Sequence, residues 1–304
     1  MFSRRHPFLF FTIILVSVIM ACLLGIHIMI AIISGKLRND RFVVSEGEKI
    51  GIVEVVGQIV SSKNAISQLK EFREDDAIKG IVLRIDSPGG IVGPSQEIHR
   101  EIEKTVKIKK VIVSMGSVAA SGGYYIASAA DGIMANPGTI TGSIGVILGF
   151  ANYQELLNKI GIKTVVIKSG KYKDIGSPAR PMKAEEEKIL QDFSDSIHQQ
   201  FINAVAQGRK LSVSKVEEFS DGRIFSGEQA LNLGLVDRLG NLEDAIKWAG
   251  DINGATGKLA PVYPKKKKDS LLKEFLEISI EEIASRVAVF GNPGASYRYL
   301  PSGD

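Results

Sequence analysis

"SMGSVAASGGYYIASAADG", Ser114 to Gly132, decides how the chain is read. The overlapping "KVIVSMG" (110–116) is rich in Ile and Val and reads as a strand. The small residues of "SVAASGG" then turn it into a helix from Ser121 to about Ala130. A serine that opens a helix directly after a strand stands at a sheet edge, beside the unpaired amides of the first helical turn. Those amides suit a developing oxyanion. Ser121 also suits a plain N-cap, and the residues alone leave both roles open.

Outward from this stretch, strand and helix alternate. "KIGIVEVVG" (49–57) and "IKGIVLRID" (78–86) read as strands. "NAISQLKEFREDDA" (64–77) sets Ile66, Leu69 and Phe72 at helical spacing, and "PSQEIHREIEKTVK" (94–107) sets Ile98, Ile102 and Val106 on one face. A short strand follows at "GIMANPG", then a strand running into an irregular loop at "KTVVIKSGKYKD" (163–174). A helix from Lys183 to about Gln207 carries a packing stripe of Ile189, Phe193, Ile197 and Phe201, and short helices and turns fill 221–249. Glycine-rich turns after the strands make this an α/β domain over 49–250, with mostly parallel strands.

The flanks differ in texture. Residues 1–7 read as a short cytoplasmic N-terminus. Phe8 to Ile33, "FLFFTIILVSVIMACLLGIHIMIAII", is long enough at about 1.5 Å per residue to cross a hydrocarbon core of about 30 Å, and predicts one transmembrane anchor. Residues 34–48 are a polar link, and 251–304 read as a linker with "KKKK" (265–268), an amphipathic helix over 271–290 and a flexible tail. Glu274, Glu277, Glu281 and Glu282 on the polar side of that helix suit a partner subunit better than lipid. A net charge of +4 is too mild to argue for nucleic acid.

The residue inventory narrows the chemistry. His6 and His27 lie at the predicted membrane segment, while His99 and His198 sit on helices and read as packing residues, so a Ser-His-Asp triad has little support. The lone cysteine, Cys22, lies in the apolar run, which excludes thiol catalysis and a structural disulfide. No zinc spacing, P-loop or dinucleotide fingerprint occurs, so neither metal nor cofactor is expected. A serine without histidine needs another base, and a desolvated lysine can serve. "KSGKYKDIGSPARP" (168–181) offers Lys168, Lys171 and Lys173, among which composition does not choose. "SPGG" (87–90) follows a strand as a turn whose consecutive amides suit an anion.

Taken together, "SPGG", "GSVAASGGYYIASAAD", "TGSIGV", "SGKYKDIGSPARPM" and "DGRIFSGEQALNLGLVDRLG", in this order, resemble signal peptide peptidase A in its short, single-domain bacterial form. The resemblance runs from about Lys49 to Ala249. It implies a fold like those of the Clp protease and crotonase, a repeated β-β-α spiral. It also implies a serine endopeptidase with Ser121 as nucleophile and Lys173 as general base. Gly89 would be the leading donor of the oxyanion hole, with Gly90 beside it and the Gly122 amide contributing, and Ser143 would hold the lysine and help relay its proton. Implied substrates are remnant signal peptides and other unfolded or membrane-released peptides. The short members further imply a homo-oligomer, a ring of eight in which serine and lysine come from neighbouring copies. They place the chain in the bacterial inner membrane as a single-pass protein, with its catalytic domain on the extracytoplasmic side. Rival readings are a non-catalytic or differently targeted membrane quality-control member of the family, or a crotonase-like acyl-CoA enzyme.

Overall fold

Strand β1 (Glu48–Val56) supplies the pattern from which the core is built. The computed structural model describes residues 8, 15–21, 23–25, 47–264 and 296–298. Two units divide the chain, 1–46 and 47–304. In the second, β1 pairs in parallel with β2 (Ile78–Ser87), Val53 facing Leu83, and β2 pairs in parallel with β4 (Val111–Ala120), Leu83 facing Val113. Parallel strands need covering on both faces, and alternate residues divide accordingly. Ile50, Ile52, Val82 and Ile112 enter one cluster, under Ala245, Ile246 and Ala249 of a helix at 242–252. Val53, Val55, Ile81, Leu83, Ile85, Val113 and Met115 enter the other. Each large aliphatic side chain so buried contributes about 1.5–3 kcal/mol.

The second cluster is covered by α1 (Lys63–Glu74) and α2 (Val92–Thr105) through Leu69, Phe72, Ile98 and Ile102. Short α3 (Gly122–Ala127) and long α5 (Ala184–Arg209) complete that face, with α4 (Gln154–Lys159) lying between them in sequence. Strands β5 (Gly132–Ala135) and β6 (Ile140–Gly142) both pair in parallel with β4, at successive stretches of its length. After α6 (Val213–Glu217), β7 (Ile224–Ser226) adds an antiparallel pair to this sheet, against β6. Helix α7 (Gly227–Asn232), β8 (Arg238–Leu239), α8 (Leu242–Ile252) and β9 (Leu259–Val262) follow, with β9 closing the far side of β1. The path β7-β6-β4-β2-β1-β9, with β5 and β8 off it, is the mostly parallel α/β sheet that the sequence predicts.

Three sequence expectations are corrected. "KTVVI" (163–167) is no strand: it carries no regular structure, with Val165 84% and Ile167 97% exposed. The stripe on α5 is buried at Ile197 and Phe201, while Ile189 and Phe193 face solvent. The largest correction concerns the N-terminus. Among the described residues no helix is long and apolar enough to cross a membrane. The described helical positions there are 8, 15–21 and 23–25, and the rest of 8–33 lies outside the described residues. The transmembrane anchor is thereby corrected, and with it the membrane as partner, the single-pass inner-membrane location and the extracytoplasmic placement that rested on the anchor. The amphipathic segment 271–290 also falls outside the described residues. Of the tail, only β10 (Ser296–Arg298) is described.

Candidate active site

Ala119 and Ala120 end β4 fully buried, and Ser121 follows at φ 55°, ψ −117°, a conformation that L-residues rarely adopt. Ser121 stands at the N-cap position of α3, yet its side chain makes no cap bond. The backbone, by contrast, is fixed from both sides. Its amide donates to the Gly142 carbonyl at 2.8 Å, and its carbonyl accepts from the Tyr125 amide at 2.8 Å. Beneath it Tyr124 is fully buried and donates its hydroxyl to the Leu235 carbonyl at 3.0 Å. The turn is rigid while its hydroxyl stays uncommitted, and only 1% of the residue is exposed. That excludes the plain N-cap role.

The "SPGG" segment is more than a turn, because Gly89–Ile91 forms a short strand, β3. Gly89 has φ +97°, which glycine adopts at little cost, and its amide donates to Ser87 Oγ at 3.1 Å. Ile59 bonds to both sides of Gly90: its amide donates to the Gly89 carbonyl at 2.9 Å, and its carbonyl accepts from the Ile91 amide at 2.8 Å. In such a parallel bridge, the amide and carbonyl of Gly90 itself point to the opposite edge. Along that edge runs β10, antiparallel, with Tyr297 opposite Gly90 and Arg298 opposite Gly89. A Cβ at Gly90 would lie 2.1 Å from the Ile59 oxygen, so no side chain fits. At Gly122 a Cβ would stand 3.1 Å from the Gly90 nitrogen and 3.2 Å from the Gly89 Cα. The two glycine-rich turns therefore touch beside Ser121. Ser95 backs them: it is fully buried, donates to the Ile91 carbonyl at 2.9 Å, and its Oγ would lie 2.8 Å from that same Cβ.

Ser143 arrives by register. Ala120 of β4 faces Gly142 of β6, so the residue after each strand end falls at the same edge. Ser143 is 7% exposed, has φ 50°, and donates its amide to the Arg223 carbonyl at 2.8 Å. It opens onto a cleft of about 520 Å³ between the 143–147 segment and α5, lined on the far side by Gln191, Asp195 and His198. His198 Nε2 is buried there without a hydrogen-bond partner. His99 fits the packing role, stacked 4.7 Å from Tyr125, and burial lowers its pKa against the opposing pull of Glu103.

The three loop lysines separate by their partners. Lys168 pairs with Asp174, and Lys171 with Glu185 at 2.5 Å. The hydrogen bond that Lys171 donates to Glu185, with a second one shared with Tyr172, raises its pKa and holds it protonated. Lys173 has no carboxylate partner among the described residues, although Asp174 adjoins it in sequence. Its side chain faces solvent, and within one chain it makes no hydrogen bond to Ser121 or Ser143. Ser121, Ser143, Gly89, Gly90 and Gly122 converge; Lys173 is not brought to them. Among the described residues no group of His, Cys, Asp or Glu side chains is placed to share a metal ion.

Sequence reasoning missed Ser87, Ser95 and Gly142. The first two leave a trace in retrospect, a serine two residues before Gly89 and another within the first turn of α2.

Comparison with known proteins identifies the family. The Peptidase family S49 profile matches residues 103–255, and the Clp protease profile matches residues 41–139. A putative protease of Synechocystis is 50% identical over 214 residues, covering 70% of this chain and 77% of that protein. A putative signal peptide peptidase of Enterococcus faecium is 44% identical over 185 residues, 60% of this chain and 54% of that one. A putative protease of Methanocaldococcus jannaschii is 36% identical over 254 residues, 79% of this chain and 81% of that protein. Matches that span half of the chain by profile, and most of two relatives by alignment, leave one conclusion: the chain belongs to peptidase family S49 and is a serine protease of that family.

Proposed function

We propose that this serine protease is an endopeptidase in which Ser121 attacks the peptide carbonyl and Lys173 of a second copy takes its proton. The observation that carries the reading is the uncapped Ser121 hydroxyl, next to two glycine turns in contact with each other. Lys173 is the loop lysine left without a carboxylate, as a base that must lose its proton requires. Its exposure, against the burial of Ser121, favours a neighbouring copy as the acceptor of its side chain. The cleft beside Ser143 offers room for that loop.

Neutral Lys173 removes the Ser121 proton as Oγ bonds to the carbonyl carbon. The amides of Gly90 and Gly122, with Gly89 behind them, receive the oxyanion. The lysine then gives the proton to the leaving amine, and water repeats the sequence on the acyl-enzyme with Ser143 holding the lysine in place. Substrates are extended segments added as a strand along β3, a mode supported by β10 lying antiparallel there. Unfolded peptides fit that edge, and the Enterococcus relative's name points to signal peptides among them.

The test is cleavage of a denatured peptide substrate by the full chain and by Ser121→Ala, Lys173→Ala and an equimolar mixture of the two. Both variants should be inactive, and the mixture should regain part of the parent rate. Activity in either single variant sinks the dyad. No recovery in rings shown to be mixed sinks the sharing between copies.

A further inference from the structure

Asp174 is the carboxylate nearest to Lys173 in sequence, and the structure keeps it occupied elsewhere. Arg180 Nε donates to Asp174 Oδ2 at 3.0 Å, and Arg180 Nη2 donates to the Asp174 carbonyl at 3.0 Å. The other side of the same guanidinium grips Glu186, with Nη1 to Oε2 at 2.8 Å and Nη2 to Oε1 at 2.7 Å. Glu186 is itself 1% exposed and accepts the Lys183 amide at 3.0 Å in the capping box that starts α5. Lys168 pairs with the remaining oxygen of Asp174. Thus one planar fork ties the base-bearing loop to the rigid end of a long helix, and both carboxylate oxygens beside Lys173 are taken.

Most of the other charged groups that the loop meets are also committed, and in the cleft proposed to receive it Asp195 accepts from Gln191 while Asp221 pairs with Arg223. Lys171 pairs with Glu185, and Tyr172 donates to the same carboxylate at 3.3 Å. The strap packed against the loop, at 150–153, brings Phe150 under Gly176 and the Tyr153 amide to the Pro178 carbonyl, and no charge. Lys183, at the start of α5, adds a further cation. Arg180 first and Lys168 second hold the Asp174 carboxyl far below the usual carboxylate range, and Arg180 with the Lys183 amide holds Glu186 at about 2.

We propose that Arg180 is a positioning residue for the base: by closing Asp174 onto Glu186, it withholds from Lys173 the carboxylate that would keep it protonated. This rests on the reading of Lys173 as the general base. An unmasked Asp174 would favour charged Lys173, shrink its neutral fraction and move the acid limb of kcat/KM to higher pH.

The test is the pH profile of kcat/KM for the full chain and for Arg180→Gln, Arg180→Lys, Asp174→Asn and the Arg180→Gln/Asp174→Asn double variant. Arg180→Gln should move the acid limb up by about one pH unit, a loss of about tenfold below the limb with the plateau kept within about twofold. Arg180→Lys, which keeps a cation on buried Glu186 and so protects folding, should move it part of the way. Asp174→Asn should not raise it, and the double variant should return it to the parent position. A uniform fall at every pH, or a double variant whose limb stays raised, overturns the inference. Lys173→Ala in the same assay separates the failures: if it retains the parent rate the base assignment falls, whereas if it is inactive and the Arg180 profiles do not move, only the role of Arg180 falls.

Discussion

The Ser121 amide donates to the Gly142 carbonyl at 2.8 Å, so the backbone of the proposed nucleophile is held by the residue that precedes Ser143. The bond couples two strained positions, Ser121 at φ 55° and Ser143 at φ 50°, through one peptide contact. Strain of this kind persists only where its surroundings over-determine it. Here they do: Gly142 is locked at φ +77° under Phe225, and Tyr125 bonds back to the Ser121 carbonyl. Ser143→Ala should therefore keep the fold and reduce kcat by about 100-fold, through a base no longer held in place. The measurement is steady-state kinetics beside thermal unfolding. An unchanged kcat would remove Ser143 from the mechanism.

The strain at Ser121 has a cost that a second pair of variants exposes. A positive φ costs an L-residue about 1–2 kcal/mol, and glycine avoids it while losing about 0.4–1 kcal/mol through the freer unfolded chain. Ser121→Gly and Ser121→Ala should both be inactive, yet the glycine variant should be the more stable by about 1 kcal/mol. Denaturant unfolding of the two side by side checks this. Equal midpoints, or a more stable alanine variant, would mean that the turn relaxes when the hydroxyl leaves.

Much of this was legible in the sequence because both faces of the central strands are buried. Ile50 and Ile52 against Val53 and Val55 can only be satisfied by two covered faces, and the alternation of helices says what covers them. "KTVVI" misled for a related reason. Its β-branched residues predict a strand, but Val165 and Ile167 find no cover within the chain, and pattern alone does not distinguish a paired strand from an unpaired one. "SPGG" read as a turn because glycine is the usual mark of one, whereas β3 needs glycine because Ile59 crosses Gly90 too closely for a Cβ. The role of Ser121 stayed open for a deeper reason. A capping serine and an uncapped one have the same neighbours in sequence, and only φ and ψ separate them.

The exposed apolar residues of this middle region make the assembly testable. Leu156, Ile160, Ile162, Val165 and Ile167 are each more than half exposed, on a segment that ends at the lysine loop. A second copy that supplies Lys173 would cover some of them. Ile167→Asp should shift the chain to smaller species in analytical ultracentrifugation and lower activity in parallel, because a desolvated carboxylate at an interface costs about 2 kcal/mol or more. Full activity in a monodisperse monomer would refute a site completed between copies.

The last prediction concerns β10. Its residues pair with Gly89–Ile91 along the edge to which the amide of Gly90 points, the same edge that an extended substrate would use. A segment tethered to its own site competes at an effective concentration of order millimolar, however weak its contacts. Ending the chain at Gly294 should thus lower KM for a peptide substrate several-fold, leaving kcat nearly unchanged, because a bound substrate has already displaced β10 and the two complexes are then alike. A free peptide of sequence ASYRYL, residues 295–300, should then inhibit the shortened chain competitively. If KM rises on truncation, or the added peptide lowers kcat without changing KM, β10 does not occupy the substrate's strand, and the antiparallel pair at Tyr297 and Gly90 serves the stability of the glycine turn instead.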